Sequence, residues 1–109
     1  MDPATPTVRD NPERHQFEID LGDGQFAYAK YNLLPGAIRF YHTVVPESHG
    51  GQGLGTLLIK AGLASARQRG LRVIPICPFF ASYLKKHPEE QDIVDISYLH
   101  LVRDDPLPM

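Results

Sequence analysis

The chain has no tryptophan and a single cysteine in 109 residues. One thiol excludes an internal disulfide and any multi-cysteine metal centre. Apolar runs stop after a few residues, far short of the roughly 20 needed to cross a bilayer. Lysine and arginine number 11 against 13 acidic residues, giving a formal charge of −2. They form no cluster, whereas nucleic-acid binders carry a basic stripe. Glu89, Glu90 and Asp92 come without the paired histidines or clustered spacing of a metal site. The first residues bring prolines and acid where a secretory leader has an apolar stretch, so cytoplasmic residence is the expectation. Neither metal, membrane nor nucleic acid is an expected partner. What is left, 42% hydrophobic and 22% charged, is the composition of one ordinary globular domain with its own core.

Glycine is concentrated in one place. Val45-Pro46-Glu47-Ser48-His49-Gly50-Gly51-Gln52-Gly53-Leu54-Gly55 puts four glycines into six residues ahead of a helical pattern. Such a loop turns sharply and lets backbone approach a ligand closely. The helix start behind it adds unpaired N–H groups and a partial positive charge, so the pair forms an anion site suited to phosphate.

Residues 1–12 are rich in proline and polar groups and read as a mobile arm, residues 13–102 as a single domain, and residues 103–109 as a tail. Phe17, Ile19 and Leu21 alternate as in a half-buried strand. Gly22-Asp23-Gly24 is turn chemistry, and a second strand runs over Gln25–Tyr31. After Leu34-Pro35-Gly36, a third strand covers Ala37–Val45. The period then changes: Leu54, Leu57, Leu58, Ala61 and Ala64 follow helical spacing, with Gly70 placed to end the helix. Leu71–Ile76 reads as a strand buried on both faces. Pro78 suits the first position of a second helix, which stops near His87-Pro88. Ile96–Val102 fits either a last strand or an extended tail. The order implies an α+β fold, an antiparallel meander plus a right-handed β-α-β crossover, with the glycine loop at the carboxyl end of the third strand.

Two familiar phosphate loops fail on spacing. In a Walker A loop built on Gly50 and Gly55, Thr56 occupies the lysine position. Gly51, Gly53 and Gly55 alternate, whereas the dinucleotide fingerprint spaces its last two glycines three apart. The remaining pattern resembles the acyl-coenzyme-A loop of the GNAT N-acetyltransferase superfamily, [QR]-x-x-G-x-[GA] between a strand and a long helix. Gly53-Leu54-Gly55 fills its last three positions, and Gly50 departs from the usual Gln or Arg. His42-Thr43-Val44-Val45-Pro46, Val73-Ile74-Pro75-Ile76-Cys77-Pro78-Phe79, Tyr83 and His87-Pro88-Glu89 look like the minimal GNAT-like family called the YjdJ type. The resemblance runs from about Phe17 to Val94. It implies a minimal acyl-coenzyme-A N-acyltransferase fold and a weak or undefined acetyltransferase activity. The two helices that larger members insert between their first strands are absent here, so an open acceptor side is expected.

The resemblance also implies acetyl coenzyme A as donor and an amine acceptor, on a protein or a small molecule. Gly50, Gly51, Gln52, Gly53, Leu54, Gly55 and Thr56 would hold pyrophosphate through backbone N–H groups. Val44 and Val45 would pair with the pantetheine arm, and Phe79, Phe80 and Tyr83 would pack or wall it. Transfer to an amine needs a base and a proton for the departing thiolate. His42, expected on the face of Ile38, Phe40 and Val44, is the candidate base, and otherwise a core-edge histidine. Cys77 is the candidate thiol participant, as proton donor or as acetyl acceptor paired with His42, and otherwise a small buried hydrophobe. Tyr83 either protonates the thiolate or packs. His49 is a candidate phosphate contact. The alternative to an enzyme is a non-catalytic acyl-coenzyme-A sensor; a partner-binding protein with a merely structural loop is the weaker rival.

Overall fold

The computed structural model describes residues 6–103; the rest of the expected arm and tail lies outside them. Five strands form one sheet in sequence order: β1 (Val8–Asn11), β2 (Gln16–Asp20), β3 (Phe26–Leu34), β4 (Ala37–Val44) and β5 (Arg72–Pro75). The first four run antiparallel, and β5 lies parallel to β4. Helix α1 (Leu54–Arg69) makes the crossover, so the expected α+β meander with a β-α-β unit is the observed fold.

β1 corrects the reading of residues 1–12 as a mobile arm. Val8–Asn11 pairs with β2 in the register Val8↔Ile19 to Asn11↔Gln16. Its polar residues are there because the outward face of β2 is polar. The Arg9 Nη2 and Asn11 Nδ2 groups donate to Glu18 at 2.7 and 3.2 Å, and Gln16 Nε2 donates to the same carboxylate at 2.8 Å. On the inner side the Tyr31 hydroxyl donates to Asp10 at 2.6 Å. A polar strand is stable when its partner strand is matched to it.

Helix α1 starts and stops where the glycines require. Gly53 and Gly70 cap it, both left-handed, and the Gly70 N–H donates to the carbonyls of Ala66 and Arg67. Its buried face is Leu54, Leu58, Ile59, Gly62, Leu63 and Ala66, while Ala64 is exposed. The stripe is therefore rotated from the expected one, because Gly62, which carries no apolar side chain, sits at its centre. Helix α2 (Pro78–Lys86) begins on Pro78 as expected and ends at His87.

Ile96–Val102 is neither strand nor extended tail. Ile96–Leu101 is a 3-10 helix started by Asp95, whose carboxylate accepts from the Ser97 N–H at 2.9 Å. Sheet pairing ends one step earlier, where Val94 bridges Val73 and the Asp95 N–H donates to the Val73 carbonyl at 2.9 Å. The acidic turn is not merely solvated either. Arg67 on α1 grips Asp92 with two nitrogens, at 2.9 and 2.7 Å, and Glu90 at 2.8 Å.

The core closes on one aromatic pair. Phe40 of β4 and Phe80 of α2 stack with centroids 4.1 Å apart, and both are fully buried. α1 comes down onto them at Gly62, where an added Cβ would lie 2.8 Å from Phe40 Cζ and 3.4 Å from Phe80 Cε2. Helix propensity alone would make Gly62→Ala stabilising by about 1 kcal/mol. The overlap with a ring that has no room to retreat outweighs it, so a net loss of about 1–3 kcal/mol is expected in chemical denaturation. Gly62→Ala unfolding at unchanged or higher denaturant would show that the rings move aside.

Candidate functional site

The glycine loop begins as β4 ends. Glu47–His49 makes one 3-10 turn, and the backbone then reverses through Gly51 (φ 80°) and Gly53 (φ 74°), conformations that disfavour side chains. Two side-chain bonds tie the loop to the turn between β2 and β3: His49 Nε2 to Asp23 Oδ2 at 2.9 Å, and Gln25 Nε2 to Ser48 Oγ at 3.2 Å. His49 is thus the loop's anchor as well as a cavity wall.

Gly53 caps α1 with no side chain. The Leu57 N–H is the first to find a carbonyl, that of Gly53, at 3.2 Å. The amides of Gly53, Leu54, Gly55 and Thr56 have no acceptor among the described residues, as the first four of a helix require. They border a cavity of about 590 Å³ between the loop and α2. Of the residues expected to hold the cofactor, Val45, Gly50, Gly51, Gly53, Leu54, Gly55, Thr56, Phe79 and Tyr83 line it; Val44 and Gln52 do not. Phe79 and Phe80 divide the roles left open for them: Phe79 is 53% exposed on the cavity wall, and Phe80 lies in the core.

The cavity also holds Ile59, Ser82 and Lys86, which the sequence did not single out, and His87, which it marked only as the helix stop and as part of the resemblance. Lys86 and the two histidines set basic groups around the unpaired amides, while Val45, Ile59 and Phe79 make an apolar wall. An anionic head with an apolar arm fits that division. Periodicity within α2 was the available signal, since Tyr83, Lys86 and His87 share one side of it. Burial, then the nearby carboxylates of Glu90 and Glu89, push the Tyr83 phenol up, so it stays protonated at neutral pH, and its ring lies 4.1 Å from that of His87.

His42 and Cys77 are not brought together as a pair. β3 and β4 keep register from Leu34↔Ala37 to Tyr31↔Phe40, then resume at Lys30↔His42, leaving Tyr41 as an extra residue. One inserted residue inverts every side chain beyond it. His42 therefore leaves the face of Ile38 and Phe40 and stands exposed on the outer face beside Tyr28, ring centroids 6.3 Å apart. Thr43 points inward instead, and its Oγ1 lies 3.2 Å from Cys77 Sγ. Cys77 is 1% exposed at the start of α2. The pairing the sequence missed is Thr43 with Cys77.

The bulge lies where the sheet opens. Pairing of β4 with β5 ends at Phe40↔Pro75, and the Cys77 N–H makes one more bond to the Phe40 carbonyl at 2.9 Å. Beyond it β4 runs on without β5. The opening separates the cavity, on the helix side, from His42 on the outer side.

A family model for GCN5-related N-acetyl-transferase matches residues 16–93. A solution structure from Staphylococcus aureus, named a "GCN5-like putative N-acetyltransferase", superposes with a TM-score of 0.64 at 30% identity, covering 82% of this chain and 87% of that one. No curated protein matches.

The anchor of the loop has a pH signature. The His49 hydrogen bond, then that from the Gln25 N–H, hold the Asp23 carboxyl at about 2 instead of 3.8. A depressed carboxylate contributes its stabilisation above the unfolded value and loses it as pH falls through the folded one. The Asp23 contribution is therefore complete above about pH 4 and disappears toward pH 2. Carboxyl-carbon NMR should give a midpoint near 2, moving up toward 3.8 in His49→Ala. A native midpoint already near 3.8 would show that the anchor does not persist in solution.

Proposed function

This chain belongs to the GCN5-related N-acetyl-transferase family, and on that premise we propose that it binds acetyl coenzyme A and passes the acetyl group to an amine. The observation that carries the reading is the row of amides from Gly53 to Thr56, without acceptors among the described residues, bordering a cavity lined by both basic and apolar side chains. Bound acetyl coenzyme A would supply the activated thioester. Gly50, Gly51 and Gly53 to Thr56 hold the pyrophosphate, with Lys86 as a further charge partner. Gln52 does not line the cavity, so its contribution is confined to shaping the turn. Gly50 in place of the usual Gln or Arg leaves the task to backbone. Val45 and Phe79 flank the arm, and Val44 offers it the strand edge that β5 leaves free.

In this reading donor and acceptor meet at the opening between β4 and β5, the donor from the helix side and the acceptor from the outer face. His42, exposed beside that opening, takes the proton of the attacking amine. The Tyr83 phenol, protonated and on the cavity wall, would return one to the leaving thiolate. Cys77, buried against Thr43, serves better as the packed edge of the opening than as an acetyl carrier. That burial, with His42 on the other face, equally favours the second reading, an acyl-coenzyme-A sensor of the same minimal YjdJ-type class that has no turnover.

Calorimetry with coenzyme A, ATP and NAD tests the ligand: coenzyme A should bind, and Gly53→Val should weaken it, because a β-branched side chain is strained at φ 74°. Equal or absent binding of coenzyme A would sink the assignment. Incubation with labelled acetyl coenzyme A and a panel of amines separates enzyme from sensor. With an accepted amine, His42→Gln should lower kcat by about 10²–10⁴-fold, while Cys77→Ser leaves product formation intact and no acetyl-Cys77 appears. Accumulation of acetyl-Cys77 would overturn direct transfer.

A further inference from the structure

The outer face of the sheet, opposite the helices, carries more positive charge than it uses. β1 to β4 line up Asn11, Gln16, Lys30 and His42 in one row and Arg9, Glu18, Tyr28 and Val44 in the next. Directly opposed residues of an antiparallel pair have Cβ atoms about 5 Å apart, so Lys30 is the immediate neighbour of His42. A shallow depression of about 320 Å³ opens here, lined by Arg14, Gln16, Phe26, Tyr28 and Lys30.

The carboxylates bordering the depression are all engaged. Glu18 is held by Arg9, Gln16 and Asn11, and although burial pushes its carboxyl up, those bonds bring it below the usual range. Asp20 accepts from the Gly22 N–H at 2.9 Å, and Asp23 is bound to His49 and Gln25. Glu13 is exposed but does not line the depression. The cations are in the reverse condition. Neither the Arg14 guanidinium nor the Lys30 ammonium has a carboxylate partner among the described residues. Lys30 Nζ rests 5.6 Å from the centre of the Tyr28 ring, and the Tyr28 hydroxyl has no hydrogen-bond partner among the described residues. A flat guanidinium fork, an ammonium and a phenol therefore line one depression without a carboxylate partner among the described residues, and Lys30 and Tyr28 of this set also neighbour His42.

We propose that this depression is an anion subsite that seats a carboxylate carried by the acceptor, so that the accepted amines are acidic and of amino-acid size. The proposal rests on the reading of His42 as the acceptor-side base. It sets the acceptor apart from lysine-rich tails and polyamines, which the unpaired Arg14 and Lys30 repel. Phe26, 37% exposed, and Tyr28 supply a flat apolar floor for the acceptor's carbon chain.

The test begins with binding. The full chain is titrated by NMR with glutarate, with inorganic phosphate and with cadaverine. Glutarate should give saturable shifts at Arg14, Tyr28 and Lys30, weakened about tenfold by Arg14→Gln or Lys30→Gln, with cadaverine producing none. No saturable shift, a response indifferent to both substitutions, shifts confined to Gly53–Thr56, or tighter binding of phosphate than of glutarate would overturn the carboxylate assignment. Rates with acetyl coenzyme A supply the second arm. Glutamate and aspartate should outpace lysine amide and spermine, and Lys30→Glu should reverse the order with KM for acetyl coenzyme A unchanged. A chain that binds glutarate at Lys30 but not coenzyme A leaves the subsite standing and removes only the acetyltransferase reading.

Discussion

One extra residue in β4 decides which side chains stand on each face of the sheet next to the glycine loop. Strand side chains alternate faces, so a single insertion is felt by every residue that follows it. Tyr41 is that insertion. It turns His42 to the outer face, sends Thr43 inward onto Cys77, and directs Val45 to the cavity wall. It also coincides with the last pairing between β4 and β5, Phe40↔Pro75, beyond which the Cys77 N–H gives one more bond to the Phe40 carbonyl. The opening in the sheet and the separation of His42 from the helix-side cavity thus coincide with one local irregularity. The Phe40–Phe80 stack holds it from beneath: Phe40 is the last regular residue before the bulge, and α1 is pressed onto the pair at Gly62.

The glycine loop is ordered by contacts outside itself. Its backbone leaves the amides of Gly53 to Thr56 without acceptors among the described residues, while its side chains supply the attachment, through His49 and Ser48 to the β2–β3 turn. The short Leu21–Gln25 connection is what brings that turn within reach. A long insertion there would carry Asp23 and Gln25 away. Minimal length and a well-held loop are two faces of the same economy of chain.

Much of this was legible in the sequence, for reasons specific to each element. The ends of α1 are legible because glycine marks both caps and leucines repeat at helical spacing. The loop is legible because glycine so concentrated has few other uses. β1 was hidden because its residues are polar, and their partner face on β2 becomes visible only once the two are adjacent. The orientation of His42 was hidden because face-counting assumes an unbroken strand, and nothing around Tyr41, itself a good strand former, marks a bulge. Lys86 joined the cavity by tertiary packing of α2 against the loop. The cationic depression likewise exists only across two strands and the turn before them, with its two cations, Arg14 and Lys30, far apart in sequence.

The ties from His49 and Ser48 bear on time as well as on shape. Ordering backbone costs about 1–2 kcal/mol per residue, and a loop already bound to its neighbours meets that cost once, when the chain folds. A ligand arriving at Gly53–Thr56 then finds its amides pointing outward at first contact, with no slow rearrangement between collision and capture. Differences among ligands would then appear chiefly in how long each one stays.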